Sequence, residues 1–158
     1  MSVAFTKEED SESAAAALPD RPISPHPNLV TRDGLLQLEA GLASAKAAYA
    51  AAQAGDVKSD REAMSRATRD LRYYSARRAS AQLIETASHP QRVTFGAAVT
   101  VARDDGRRLT YRIVGEDEAD PTRGSVSYIS PLAKALLGKE VGETATVGGR
   151  DLEVAAIA

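Results

Sequence analysis

The sequence predicts an α+β protein: an N-terminal antiparallel helical hairpin, or coiled coil, followed by a small antiparallel β domain with one short helix. Two observations support this fold class. Apolar residues recur at alternating steps of three and four along two stretches separated by a few polar residues, which is the spacing of paired helices. From Val93 onward the apolar period changes to two, with glycine-containing turns between the runs, as in hairpin-connected strands.

Residues 1–28 precede the first helical stretch and predict a disordered or loosely docked arm. They are rich in acidic residues and alanine and end in the proline-rich run "PDRPISPHP". Such a composition buries too little apolar surface to offset the chain entropy lost on folding. Clustered prolines favour an extended backbone instead of a helix.

The helical hairpin is predicted over residues 29–88, with its tip near residues 55–60. Thr31 is a plausible N-cap and Asp33 lies in the first turn, where the helix dipole favours a negative charge. Gly55 is a natural stop, and the second helix is expected from about Asp60 to Thr86. The stripe of the first helix consists of Leu35, Leu38, Leu42, Ala45, Tyr49 and Ala52.

The second helix carries most of the basic residues of the hairpin. Arg66, Arg69 and Arg72 follow one another at steps of three, and we expect them to contact nucleic-acid phosphates. A mixed, solvated helix face is the alternative interpretation, because Asp60, Glu62 and Asp70 lie among the arginines.

Residues 89–158 predict the β domain. The runs "VTFGAAVTVA" and "RLTYRIVG" flank the turn "RDDGR", and Asp-Gly readily provides the positive φ that a hairpin turn needs. A further strand, "SVSYIS", precedes a short helix in which Ser130 is the N-cap and Pro131 the first helical residue. A last hairpin turns at "VGG" and completes the domain.

Several function classes lack the residues they need. The chain has no cysteine and only two histidines, His26 and His89, so thiolate chemistry and a Cys/His zinc site are excluded. No phosphate-binding glycine loop is present. The acidic loop "GEDEAD" does not match a calcium loop and is interpreted as a polar connection. No stretch has the length of a membrane span, and none resembles a signal peptide, so we expect a cytoplasmic protein without membrane contact. We also expect a monomer.

The order of elements and two sequence runs resemble the Gre transcript-cleavage factors of bacterial RNA polymerase. These runs are "TYRIVGEDEAD" and "ISPLAKALLGKEVGE" in the C-terminal half, and "NLVTRDGLLQLE" resembles the start of the family's first helix. The resemblance covers residues 28–158.

This resemblance implies an accessory factor and not an enzyme in its own right. It implies an FKBP-like β domain that docks on the rim of the polymerase secondary channel around Ser130 and Pro131. The coiled coil would enter the channel, where tip acids would share a Mg²⁺ ion with the polymerase to assist cleavage of the backtracked RNA 3′ end. Asp56 and Asp60 are the expected tip acids, and the factor would hold no cofactor of its own.

The tip and the stalk differ from the family pattern. Ser59 stands where the family has its second acid, with Asp60 one position later, and both helical arms are shorter by about a heptad, or ~10 Å at about 1.5 Å per residue. A polar residue often precedes the Ser-Pro pair in the family, and here it is Ile129. Three functions therefore stay open: a cleavage-stimulating elongation factor, a cleavage-deficient regulator that competes for the channel, and a general FKBP-like protein-interaction module.

Overall fold

The computed structural model describes residues 18–55 and 57–158, with only the backbone for residues 57–59. The described chain divides into two compact units. The first contains the residues up to His26 together with Leu38–Ser80, and the second contains Pro27–Gln37 together with Ala81–Ala158.

The first helix, α1, spans Arg32–Ala54. Its N-cap is Thr31, whose hydroxyl accepts a hydrogen bond from the backbone N–H of Gly34 at 3.0 Å, so the predicted cap is confirmed. Leu38, Ala45 and Ala52 are buried at intervals of seven residues. This interval confirms the heptad-type stripe, because a seven-residue repeat returns to the same helix face.

The second helix, α2, spans Val57–Ser80, so it starts earlier and ends earlier than the predicted limits of Asp60 and Thr86. The early end has a physical cause in the strand pair that follows. Strand β1, Leu29–Val30, pairs in parallel with β2, Gln82–Leu83. The backbone N–H of Gln82 donates to the carbonyl of Asn28, and that of Ile84 donates to the carbonyl of Val30. Because these N–H groups bond across the strand pair, they cannot form the hydrogen bonds that would continue α2.

Close helix packing in the first unit depends on a small residue. A Cβ atom on Gly41 of α1 would stand 2.5 Å from the ring of Tyr74 on α2. Ala67 is buried at 3% exposure, and Arg77 is also buried, at 2%. Arg77 interrupts the apolar stripe in the sequence, yet its side chain lies inside the protein, which the hydropathy pattern does not predict.

The second unit contains a five-stranded sheet with the order β5-β4-β3-β7-β6. Its strands are β3 Ala98–Arg103, β4 Arg108–Val114, β5 Ser125–Ser127, β6 Thr144–Val147 and β7 Arg150–Ile157. Three of the four pairings are antiparallel, and β4 with β5 is parallel. The long run beginning at Val93 forms a strand only from Ala98, because Gly96 has a φ of +85° and interrupts the extended backbone.

The helix α3, Pro131–Leu136, buries Ala133 and Leu136 completely in the core of the second unit. Apolar side chains of the sheet and of the segment before β3 complete this core: Val93, Phe95, Val99, Val101, Ile113, Val126, Ala145, Leu152 and Val154. The fold class predicted from the sequence is therefore confirmed: a helical hairpin, then a small sheet with one short helix.

Polar contacts fix the segment before α1 within the second unit. The Thr31 hydroxyl donates to the Glu118 carboxylate at 2.5 Å, and the Arg112 guanidinium lies 3.5 Å from the Asp33 carboxylate. The Tyr128 hydroxyl donates to the carbonyl of Pro27 at 2.5 Å. Glu118 therefore serves as an internal acceptor. Among the helices of the described residues, none has the length and apolar character needed to cross a membrane.

Candidate functional site

The predicted tip of the hairpin, residues 55–60, covers the junction between α1 and α2 and the first turn of α2. Asp56 is outside the described residues, and the side chains of residues 57–59 are not described. Asp60 lies in the first turn of α2 and is partly buried. Its carboxylate packs over Gly55, since a Cβ atom there would stand 2.5 Å from Asp60 Oδ1.

This position gives the Asp60 carboxylate two chemical possibilities. It compensates the unpaired N–H groups at the start of α2, and its oxygens are of the type that a hard cation such as Mg²⁺ prefers. In the described part of the chain, no group of three or more histidine, cysteine or acidic side chains is arranged to hold a metal ion. Asp60 could therefore supply one ligand of a shell that a partner must complete.

The three candidate phosphate-binding arginines all lie beside carboxylates. Arg66 forms an ion pair with Glu62 one turn earlier on α2. Arg69 Nε lies 3.7 Å from the Asp70 carboxylate, and its side chain is only 32% exposed. Arg72 donates to Asp20 at 3.1 Å. The structure thus places the arginines on one helix and shows that each has a local acidic neighbour.

Residues 18–26 belong to the first unit and contact α2 through Asp20 and Arg21, and we call them the N-terminal strap. The Arg21 guanidinium lies over the Tyr73 ring, with Cζ 3.8 Å from the centroid, and it donates to Asp70 at 3.3 Å. Burial disfavours the Arg21 cation, but hydrogen bonding and Coulombic attraction to Tyr74, Asp70 and Tyr73 outweigh burial and raise the pKa of the guanidinium. Arg21 therefore stays charged at all ordinary pH values.

A hollow of about 700 Å³ lies between the strap and the end of the hairpin. Leu18, Ala52 and Met64 provide apolar lining, while Asp60 and Arg69 provide charge. The composition of residues 1–28 predicts a disordered or loosely docked arm, and residues 1–17 of that arm lie outside the described residues. Composition does not predict which contacts the strap makes with α2. The one sequence feature that points to these contacts is the pair of oppositely charged residues "DR" between two prolines.

The second candidate surface surrounds the start of α3. Ser130 is its N-cap, and its hydroxyl accepts a hydrogen bond from the Ala133 N–H at 3.2 Å. Pro131 follows at the first helical position and is exposed. Tyr128 packs edge-on against Phe95, with ring centroids 5.8 Å apart. These contacts hold the Ser-Pro pair in a defined conformation at the surface of the second unit.

Two carboxylates of the acidic loop accept hydrogen bonds within the second unit. Asp120 accepts hydrogen bonds from the N–H and the hydroxyl of Thr122 at 3.2 and 2.6 Å and caps the 3₁₀ turn Pro121–Arg123. Since Glu118 accepts from Thr31, the acidic loop supplies local hydrogen-bond acceptors. His26 and His89 are exposed.

Comparison with known families adds a direct assignment for the second unit. The family described as "Transcription elongation factor, GreA/GreB, C-term" matches residues 87–157. This region is therefore similar to the C-terminal part of GreA/GreB proteins. The match contains β3 to β7 and α3, so the Gre-like region is the sheet and its short helix.

Curated relatives agree with the assignment. The chain is 39% identical over 94 residues to "Transcription elongation factor GreA" of Thioalkalivibrio sulfidiphilus, covering 55% of this chain and 60% of the relative. It is 48% identical over 82 residues to the protein of the same name from Alkalilimnicola ehrlichii, covering 48% and 52%. The chain spans about half the length of the curated relatives it matches. Together with the family match, these relatives show that about half of the chain is similar to GreA proteins.

One solved structure covers more of the chain at lower similarity. The Gfh1 protein of Thermus thermophilus, described as GreA factor homolog 1, is 23% identical and matches 84% of this chain and 99% of its own, with a TM-score of 0.41.

Proposed function

We propose that the chain is a Gre-like transcription elongation factor that binds bacterial RNA polymerase at the secondary channel and regulates elongation. The observation that carries this proposal is the GreA/GreB family match over residues 87–157. The curated relatives that bear the name of an elongation factor support it.

The docking surface in this proposal is the start of α3. Ser130 keeps the first turn of α3 in place through its cap to Ala133, and Pro131 sets φ for that turn. The exposed ring of Pro131 then offers a rigid, low-entropy contact to the polymerase.

The hairpin would contribute charge and not a complete active site. Asp56 and Asp60 would share a Mg²⁺ ion with the polymerase, and such an ion lowers the pKa of a bound water and orients it for attack on RNA. Arg66, Arg69 and Arg72 would contact phosphates of the nascent RNA 3′ end. The catalytic centre belongs to the polymerase, and this chain supplies ligands and positive charge.

The second candidate is a regulator that occupies the channel without stimulating cleavage. Two observations favour it: Ser59 stands where the family pattern has an acid, and the Asp60 carboxylate packs over Gly55 at the start of α2. The third candidate, a general FKBP-like interaction module, would bind other proteins and leave the polymerase untouched.

A transcript-cleavage assay separates these candidates. A backtracked elongation complex is incubated with Mg²⁺ and the full chain, with the variant Asp56→Ala/Asp60→Ala, or with the matched control Glu153→Ala. Glu153 is an exposed acid on β7, distant in sequence from the tip. A cleavage-stimulating factor shortens the RNA, the double variant does not, and the control behaves like the full chain.

The other outcomes are equally distinct. Cleavage by the double variant at the level of the full chain contradicts the tip-acid mechanism. If the full chain gives no cleavage but displaces a cleavage factor from the polymerase, the chain is the competing regulator. If the chain does not bind polymerase at all, the proposed function is wrong and the interaction module remains.

A further inference from the structure

We propose that the N-terminal strap is an intrachain cover that competes with single-stranded RNA for the face of α2 formed by Arg69, Arg72 and Tyr73. The inference rests on the proposed function, because it concerns the nucleic-acid contacts suggested for that face. It adds a regulatory role for residues that lie outside the matched GreA/GreB region.

The strap uses the contacts that an RNA strand would use. Asp20 places a carboxylate 3.1 Å from the guanidinium of Arg72, the position that a phosphate oxygen would take. Arg21 covers the face of the Tyr73 ring at 3.8 Å, where a base would otherwise stack. RNA and strap therefore cannot occupy Arg72 and Tyr73 at the same time.

A second anchor holds the strap to the same helix. The Arg21 guanidinium also donates to Asp70 at 3.3 Å, while Asp70 is the acidic neighbour of Arg69. When the strap leaves, Asp70 loses its partner Arg21 and keeps Arg69 as its neighbour. Strap release thus exposes Arg72 and Tyr73 together.

The composition of the strap suits a reversible cover. Its prolines, Pro19, Pro22 and Pro25, restrict the unbound chain and lower the entropy lost on binding. The sequence before it adds four acidic residues against Lys7: Glu8, Glu9, Asp10 and Glu12. Negative charge of this kind is attracted to basic surfaces over about a Debye length.

The contacts between the strap and α2 are exposed to solvent, which limits the free energy that holds the strap on the helix. The side chains of Asp20 and Arg72 are 62% and 66% exposed, and exposed ion pairs and cation–π contacts are individually weak. We therefore expect loss of the strap to strengthen RNA binding by about 3- to 10-fold at low salt.

The test measures binding of a fluorescently labelled oligouridine by anisotropy. The full chain is compared with a deletion of residues 1–22 and with Arg21→Ala. The matched control is Ile23→Ala, since the Ile23 side chain is 51% exposed and lies within the same strap. The deletion ends before Pro27 and Asn28, whose contacts are to the second unit, so that unit keeps its fold.

The expected results rank the four proteins. The deletion binds most tightly, Arg21→Ala is intermediate, and Ile23→Ala equals the full chain. A synthetic peptide of residues 1–26 added to the deletion variant should displace the oligouridine, and the same peptide with Arg21→Ala should displace it less.

Failure of this inference and failure of the proposed function give different results. If the full chain and the deletion bind oligouridine equally, whether tightly or not at all, the proposal that the strap covers an RNA-binding face is wrong. Weaker binding by the deletion also overturns it, since the strap would then assist RNA. Polymerase binding measured on the same two proteins tests the proposed function separately, because neither change touches Ser130 or Pro131.

Discussion

Gly115 lies against the carbonyl oxygen of Leu29, so close that a Cβ atom on Gly115 would collide with it. Both residues belong to the second unit. The obstacle is a backbone atom of β1, which pairs with β2 and cannot move freely. Replacing Gly115 therefore tests whether the segment before α1 is an integral part of this unit.

Gly115→Ala should lower the free energy of unfolding by about 2 kcal/mol or more, because overpacking against backbone forces strain into the neighbours. Urea denaturation followed by circular dichroism measures the change. The comparison variant is Gly106→Ala, where φ is +81° but a Cβ atom meets nothing within 4 Å. Its cost should be about 1 kcal/mol, from backbone strain alone. A Gly115→Ala protein more stable than Gly106→Ala would contradict the close approach.

Gly41→Ala should destabilise the hairpin although alanine is the better helix former. The new Cβ atom would stand 2.5 Å from the Tyr74 ring, and this clash outweighs the propensity gain of about 1 kcal/mol. In a Tyr74→Ala background the clash is gone, so the same change should stabilise by up to about 1 kcal/mol. A double-mutant cycle, measured by thermal denaturation, gives the coupling free energy between positions 41 and 74. Additive effects would show that the two residues do not meet.

Ser130→Ala should cost about 1 kcal/mol of stability, because the cap on the Ala133 N–H is lost. Ser130→Thr keeps a hydroxyl acceptor and should cost less. The matched control is Ser88→Ala, at an exposed residue in the linker before the sheet, which should stay within about 0.5 kcal/mol. Differential scanning calorimetry measures all three variants. If Ser130→Ala is as stable as the control, the cap contributes nothing.

Arg72→Ala should weaken oligouridine binding and lower the slope of log K against log salt concentration by about one, the signature of a lost phosphate contact. Arg123→Ala is the control, since the Arg123 side chain is 87% exposed and lies in the sheet domain. Anisotropy titrations at several salt concentrations give both slopes. If Arg72→Ala leaves the slope of log K against log salt concentration unchanged, Arg72 does not contact a phosphate.

The hairpin could be predicted because its signal is local and periodic. Burial of Leu38, Ala45 and Ala52 repeats every seven residues, and Gly55 lies directly after the last residue of α1. The cap of α3 at Ser130 was predicted for the same reason: a serine followed by proline is a short-range pattern.

Contacts between distant residues could not be predicted in this way. Thr31 and Glu118 are 87 positions apart, and strands of two residues such as β1 carry no periodic pattern. Arg21 lies in a segment whose composition predicts a disordered or loosely docked arm, and composition does not reveal that a single arginine stacks on Tyr73. Of the candidate site residues, Asp56 lies outside the described residues, and the roles of the others stay predictions.

The parallel pairing of β1 with β2 joins the two chain segments that flank the helical hairpin. In sequence, Leu38–Ser80 is therefore an insertion between two parts of one folding unit. Such an insertion can gain or lose matched heptads in both helices while the flanking strands keep their register. Each added pair of heptads lengthens the hairpin by about 10 Å, so helix length is an independently adjustable property of this chain.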